Sequence, residues 1–460
     1  MRIPYIAGRW VRGRDHYGRQ RLITHLLRVE DPAIWVVGTR RMGKTSLLRQ
    51  LELETDRPES DLTPLFWDLQ GVESFDDLSY ELVLALEDVE ERFAALGVDV
   101  SSLQNKDAVA ILRRVNRALA EYGKRLFVLI DEAEVLINIG QQEPKWLARL
   151  RKIFQSGEQR TVITSTKLLS KLNEVNMDWS TSPFLFGFSL ANLWRLDPMA
   201  SLALITQQQG DCPVDVDPKI VDDILVHTNR HPYLMQHLCQ RLFTGDDCDT
   251  GYLRAPEEYD LNPDHLLTGF FQTDFQHLTT LERRILLTIS KLTVASDEEV
   301  IAELNDQPPD RIRMFMYALD KLGYLRKPYG QWAVGNEFMR RWMQDNYDQL
   351  TSKLDSVLDD SNIESLIKVG RENELQYLHA EIDRLQTSLQ YLRGQRETAD
   401  GHGSLELARE IQRLDEELRI ARHELNNIPQ RMPVATLASS NGYHHNERAE
   451  IFRGPKYYRE

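Results

Sequence analysis

The chain has 460 residues, with 56 Lys and Arg against 71 Asp and Glu for a formal net charge of −15, and it is 42% hydrophobic and 28% charged. That length predicts about two to four domains, and the apolar fraction excludes a disordered chain. The acidic balance argues against a nonspecific nucleic-acid binder, which needs a cationic face for phosphate, and three cysteines (Cys212, Cys239, Cys248) argue against a disulfide framework or a four-cysteine zinc site.

Charge interrupts the opening Met1–Arg9 too early for a secretory apolar region, and the longest apolar runs stop near five residues. The expectation is a cytoplasmic chain with neither signal peptide nor membrane span. Ala33–Val37 reads as a buried strand, followed by a glycine-rich loop and a helix carrying Leu47, Leu48 and Leu51. Leu65–Leu69, Leu126–Ile130, Thr161–Thr164 and Phe184–Phe188 read as further strands, separated by helical patterns at Phe75–Leu96, Asp107–Tyr122 and Lys145–Phe154. Five short strands alternating with helices predict an α/β core with a parallel five-stranded sheet, covering residues 1–196.

Strand signals cease after Asp197-Pro198, and Ser201–Gln209, Pro218–Thr228 and Tyr233–Phe243 predict a helical lid that ends in a turn-rich linker, together 197–263. In 264–350, helices at Thr280–Leu292, Asp297–Leu304 and Asp310–Leu322 precede a hairpin around Pro328-Tyr329-Gly330, the pattern of a winged helix. Within 351–428, apolar positions from Leu375 to Leu392 and from Leu407 to Ile428 recur by threes and fours, with Ser404 placed as an N-cap between them. These two seams predict an antiparallel coiled-coil hairpin. The tail, 429–460, has no periodicity and is expected to be disordered.

Two segments carry chemistry. Gly38-Thr39-Arg40-Arg41-Met42-Gly43-Lys44-Thr45, continuing into Ser46, has two glycines five apart followed by Lys and a hydroxyl residue. The glycines let backbone N–H groups wrap phosphates, Lys44 reaches the β- and γ-phosphates, and the Thr45 hydroxyl ligates Mg²⁺. Leu126–Ile130 then delivers Asp131 and Glu132 to the carboxyl edge of the sheet, where Asp131 would hold the metal through water and Glu132 would activate the attacking water. At the end of the next strand, Ser165 and Thr166 are candidates to orient that water or touch the γ-phosphate. Glu134 and Lys167 read as surface charges.

These residues resemble the STAND-type P-loop ATPases, the signal-transduction branch of the AAA+ lineage, over roughly residues 4 to 345. The resemblance implies that Tyr17, Gly18 and Arg19 border the adenine. It also implies that Thr228-Asn229-Arg230-His231-Pro232-Tyr233-Leu234, similar to the family's Gly-His-Pro-Tyr element, places His231 and Pro232 at the nucleotide; Arg230 stands where the family usually has glycine. The module over 264–350 has ten acidic and ten basic residues between Gln276 and Asn346, so it lacks the charge of a DNA reader even though Arg311 and Arg313 lie on its third helix.

The reading that follows is a Mg²⁺-dependent ATP hydrolase working as a slow molecular switch between ATP and ADP forms. Its expected partners are the nucleotide, a protein engaging the C-terminal hairpin or tail, and further copies of itself in a nucleotide-dependent assembly. The rival is a DNA-associated AAA+ ATPase, of origin-recognition or transposition type, that binds duplex DNA through the winged helix.

Overall fold

The computed structural model describes residues 3–172, 184–245, 251–356, 358–398 and 402–428. The expected disordered tail lies outside them. Five parallel strands, β1 (Ala33–Val37), β2 (Leu62–Asp68), β3 (Arg125–Asp131), β4 (Gln159–Ser165) and β5 (Ser189–Asn192), lie in the order β2-β3-β4-β1-β5. Side chains alternate across the sheet, so each strand feeds two cores. Trp35, Val37, Val128, Ile130 and Ile163 face helices Phe75–Glu87, Ala108–Glu121 and Pro144–Phe154. Ile34, Val36, Leu129 and Val162 face helices Gln20–Arg28 and Lys44–Thr55.

The strand expected at Phe184–Phe188 is displaced, because Phe184 packs edge-on against Phe154 and stacks with Phe188 beside the sheet. The strand itself is the more polar Ser189–Asn192. The single helix expected over Phe75–Leu96 breaks at Asp88–Val89 into Phe75–Glu87 and Glu90–Ala94.

Helices Pro198–Ile205, Pro218–Thr228 and Pro232–Leu242, in the segment expected as a lid, each begin with proline, which fits the first helical turn where its missing N–H costs nothing. Asp197 and Asp217 cap the first two by accepting the Ala200 and Lys219 N–H groups. Cys239 is a buried free thiol, while Cys212 is disulfide-bonded, a bond the odd cysteine count did not lead us to expect.

Beyond the lid come helices His265–Gln276, Thr280–Leu292, Asp297–Glu303 and Pro309–Lys321, an antiparallel pair Leu325–Arg326 with Ala333–Val334, and helix Glu337–Asp345. Two long helices follow, Asp360–Thr398 and His402–Asn427. The second begins at His402, so Ser404 lies in its first turn and is not its N-cap. They share one apolar cluster that includes Leu378, Leu385, Leu389, Leu414, Leu418 and Ala421, and Arg393 bridges them to Asp415 at 2.8 Å.

Only part of the first long helix packs on the second. Its opening turns lie against the sheet edge and the Pro309–Lys321 helix. The Asn373 amide donates to the Leu190 carbonyl of β5 at 2.9 Å, Arg311 pairs with Glu364 at 3.1 Å, and Lys321 and the Tyr317 hydroxyl both reach Glu374, at 2.7 and 2.8 Å. From the second long helix, Glu424 pairs with Arg21 at 3.3 Å. The long helices therefore tie β5, helix Gln20–Arg28 and the 264–350 module to one another.

Candidate nucleotide site

The segment joining β1 to helix Lys44–Thr55 must reverse direction while leaving backbone N–H groups unpaired at the helix start. Gly43 makes this possible at φ 97°, in the left-handed region open to glycine. Lys44 Nζ donates to the Gly38 and Thr39 carbonyls at 3.3 and 3.2 Å, which folds its side chain across the loop. Arg19, itself at φ 68°, braces the loop from outside by donating to the Met42 carbonyl and the Arg195 carbonyl, both at 3.3 Å. Burial holds the Arg19 guanidinium down at about 10, so it remains charged at neutral pH.

Asp131 closes β3 on the face that carries the Lys44–Thr55 helix. Its two carboxylate oxygens accept from the Thr45 and Thr164 hydroxyls, each at 2.5 Å. A carboxylate spanned by two hydroxyls at a helix N-terminus is a hard-oxygen set suited to Mg²⁺, with substrate phosphate and water as the remaining ligands. Among the described residues no cluster of three or more His, Cys, Asp and Glu could hold a metal ion.

Glu132 follows in a left-handed turn, φ 52°. Burial and the neighbouring Glu134 raise its carboxyl pKa, against the pull of Lys44 and Arg40. A raised carboxyl is a better proton acceptor at neutral pH.

These groups line one cleft of about 730 Å³, which also contains Tyr17, Arg19, Arg40, Arg41, Met42, Gly43, Ser46 and Pro232. Ser46 accepts the Val11 N–H at 3.1 Å, which lays the N-terminal segment with Trp10 along the cleft wall. Tyr17 is buried with its hydroxyl 3.3 Å from the Gln207 amide oxygen, and Gly18 turns at φ 73° against the lid. The structure does not bring the remaining candidates to this cleft. Gly38 and Thr39 border a smaller cavity, about 70 Å³, on the other side of the loop.

Ser165 points away from the site. Strand alternation puts it on the face of Ile163, where it accepts the Trp35 indole N–H at 2.6 Å and donates to the Thr166 carbonyl at 2.9 Å. Thr164, one residue earlier, faces Asp131. Sequence reasoning passed over it, although strand parity with Val162 and the Asp131 side of β3 marks it out. Glu134 is not a solvated charge either, since its Oε1 accepts the Thr166 N–H at 2.5 Å.

His231 lies behind the loop. Burial drives its pKa down to about 3, helped by the Arg19 and Arg41 charges, and its Nδ1 is buried without a hydrogen-bond partner among the described residues. Arg41 lies over the Tyr233 ring at 4.5 Å, so helix Pro232–Leu242 touches the loop between β1 and helix Lys44–Thr55. On the smaller cavity, Lys167 donates to Glu282, whose side chain is fully buried in helix Thr280–Leu292. Beside it the Tyr324 hydroxyl donates to Asp274 at 2.8 Å, while burial pushes the Asp274 carboxyl up to about 7. Lys167 is thus a partner of the 264–350 module and not a surface charge.

Residues 28–170 match the AAA domain family. No curated protein sequence matches the chain. Among solved structures, a Walker-type ATPase of Pyrococcus abyssi is similar at 16% identity and a TM-score of 0.53, over 74% of this chain and 99% of that one. The Aeropyrum pernix ORC2 protein, solved in ADPNP–ADP complexes, aligns at 12% identity and a TM-score of 0.45 over 74% of this chain and 95% of its own. The ORC1 protein of the same organism, solved with DNA, gives 15% identity, a TM-score of 0.35, and 74% and 94% coverage. The domain match spans β1 to β4 and the loop between β1 and helix Lys44–Thr55, and the likeness to the Pyrococcus abyssi structure shows a shared fold.

Proposed function

We propose that the protein is a Mg²⁺-dependent ATPase of STAND type that acts as a slow molecular switch. In this reading the lid is 197–263, 264–350 is a winged helix, and 351–428 is a coiled-coil hairpin. The observation that carries it is the direct contact of both the lid and the 264–350 module with the phosphate loop and the strand end beside it: Arg41 over Tyr233, and Lys167 on Glu282. A nucleotide filling the cleft must compete with or reshape these contacts, so its γ-phosphate has a physical route to module position.

Within the site, Lys44 neutralises the phosphates and Thr45 and Asp131 hold Mg²⁺, which supplies charge stabilisation of the phosphoryl group when bound. Glu132 accepts a proton from the attacking water. His231 and Pro232 join the lid to the loop, and Tyr17, Gly18 and Arg19 form the wall nearest the N-terminal segment. Residues 28–170 match an AAA domain, which supports hydrolysis as the chemistry.

The DNA-binding alternative gains no support from the Pro309–Lys321 helix. Arg311 is paired with Glu364 and Arg313 with Asp310 at 3.2 Å, and Lys321 is spent on Glu374. No helix among the described residues is long and apolar enough to cross a membrane, in keeping with a proposed cytoplasmic location. A protein partner engaging the distal part of the hairpin or the tail, and nucleotide-dependent self-assembly, complete the reading.

Size-exclusion chromatography with light scattering tests it. The slowly hydrolysed ATP analogue should change the elution volume or mass relative to ADP, and Lys44→Ala should abolish the difference while eluting as a folded chain. Identical profiles with both nucleotides, each shown by calorimetry to be bound, would exclude the switch.

A further inference from the structure

The phosphate loop holds two consecutive arginines that the fold treats differently. Arg41, at φ 56°, turns outward and lays its guanidinium on Tyr233 of the lid. Arg40 is exposed, lines the cleft with Lys44, Thr45, Asp131 and Glu132, and its guanidinium has no hydrogen-bond or ion-pair partner among the described residues.

The other loop-side cations are committed: Arg19 to the Met42 and Arg195 carbonyls, Lys44 to the Gly38 and Thr39 carbonyls. Both arginines line the cleft, but Arg41 is laid over the Tyr233 ring at its wall while Arg40 carries no such ring contact among the described residues. Arg9 lines the cleft as well, from the N-terminal segment with Trp10 and Val11, whereas Arg40 belongs to the loop that carries Lys44 and Thr45.

We propose that Arg40 is the cation that meets the terminal phosphate of a bound nucleoside triphosphate in cis, so that hydrolysis needs no arginine from a second subunit. The inference rests on the ATPase reading above and deepens it. Glu132 is the proposed base for the attacking water, and Arg40 lines the same cleft. In the step it serves, the water oxygen bonds to the γ-phosphorus, its proton passes to the Glu132 carboxylate, and the bond to the β–γ bridging oxygen breaks with its electron pair leaving on ADP. Negative charge on the transferred phosphoryl oxygens is what a guanidinium fork stabilises.

The test uses the full chain, with calorimetry against ADP and against a slowly hydrolysed ATP analogue, and steady-state turnover at several protein concentrations. Arg40→Ala should leave ADP affinity within about twofold, weaken the analogue about tenfold, and reduce turnover on the order of 10³, the lower end of what an arginine at this chemistry contributes. Arg40→Lys should recover part of the loss, because it keeps the charge and loses the fork. The proposal is overturned if Arg40→Ala turns over ATP at the wild-type rate. Equal weakening of ADP and the analogue also overturns it, since that marks a role in loop structure alone. So does wild-type turnover per chain that rises steeply with protein concentration, the mark of a cation supplied in trans. A wild-type chain that neither binds nor hydrolyses ATP overturns this proposal and the ATPase reading together, whereas wild-type turnover indifferent to Arg40 overturns this proposal alone.

Discussion

At the scale of single residues, strand parity decides which side chains can do chemistry. Asp131 and Thr164 end adjacent strands on the face of the phosphate-loop helix, and Ser165 ends on the other. The two nucleotide motifs were legible because each is a short string whose chemistry is local: a loop of fixed length, or a strand followed by carboxylates. Thr164, Glu134 and Lys167 were not legible, because their partners lie between 32 and 115 positions away and only the folded sheet edge brings them together. Glu132 belongs to both groups. The sequence marks it, while its raised pKa and left-handed turn come from the fold. Glu132→Gln should therefore keep ATP bound and reduce turnover on the order of 10² or more, the contribution of a positioned base. Calorimetry and a phosphate-release assay on the same preparation check this, and wild-type turnover would make Glu132 a structural acid.

At the scale of elements, periodicity located most helices to within a few residues, and the errors have physical causes. An aromatic run looks like a strand, but Phe184 and Phe188 satisfy themselves by stacking, and β5 is instead a short polar-ended segment whose side chains serve as contacts. Asn192 meets Gly370, where an added Cβ would lie 2.8 Å from its amide nitrogen. Helix His265–Gln276 escaped notice because Gly269 and three threonine or glutamine positions interrupt its apolar face, although Phe270, Phe271 and Phe275 are buried. Gly18 shows how an unremarkable turn becomes a fixed joint. It sits at φ 73°, and a Cβ there would lie 2.5 Å from the Ala200 Cβ of the lid. Gly18→Ala combines left-handed strain with overpacking, each costing about 1–3 kcal/mol, so a loss of about 2–5 kcal/mol is expected. Denaturant unfolding measures it, and a loss below about 1 kcal/mol would show that the lid is not seated on this turn.

At the scale of the whole molecule, the long helices do more than bury their own seams. A free pair of leucine strips would be an aggregation hazard, and here each strip covers the other while the first helix also covers the β5 edge and the Pro309–Lys321 helix. Leu385 is fully buried in that cluster and Leu414 nearly so, and neither touches the cleft. A carboxylate at both positions places two unpaired charges in an apolar seam, which cannot be satisfied without opening it. Leu385→Asp with Leu414→Asp should disorder the distal helical pair, read as lost helicity by circular dichroism and rapid proteolysis after residue 375. ATP affinity should stay within a few-fold of wild type, because no described residue of 351–428 lines the cleft. Cross-linking from single cysteines supplies the independent check. A cysteine at 385 should couple to one at 414 within the same chain. Coupling of position 385 mainly to its own copy in another subunit would instead make these helices a parallel intermolecular coil, and would move them from the interior of one switch to the seam between two.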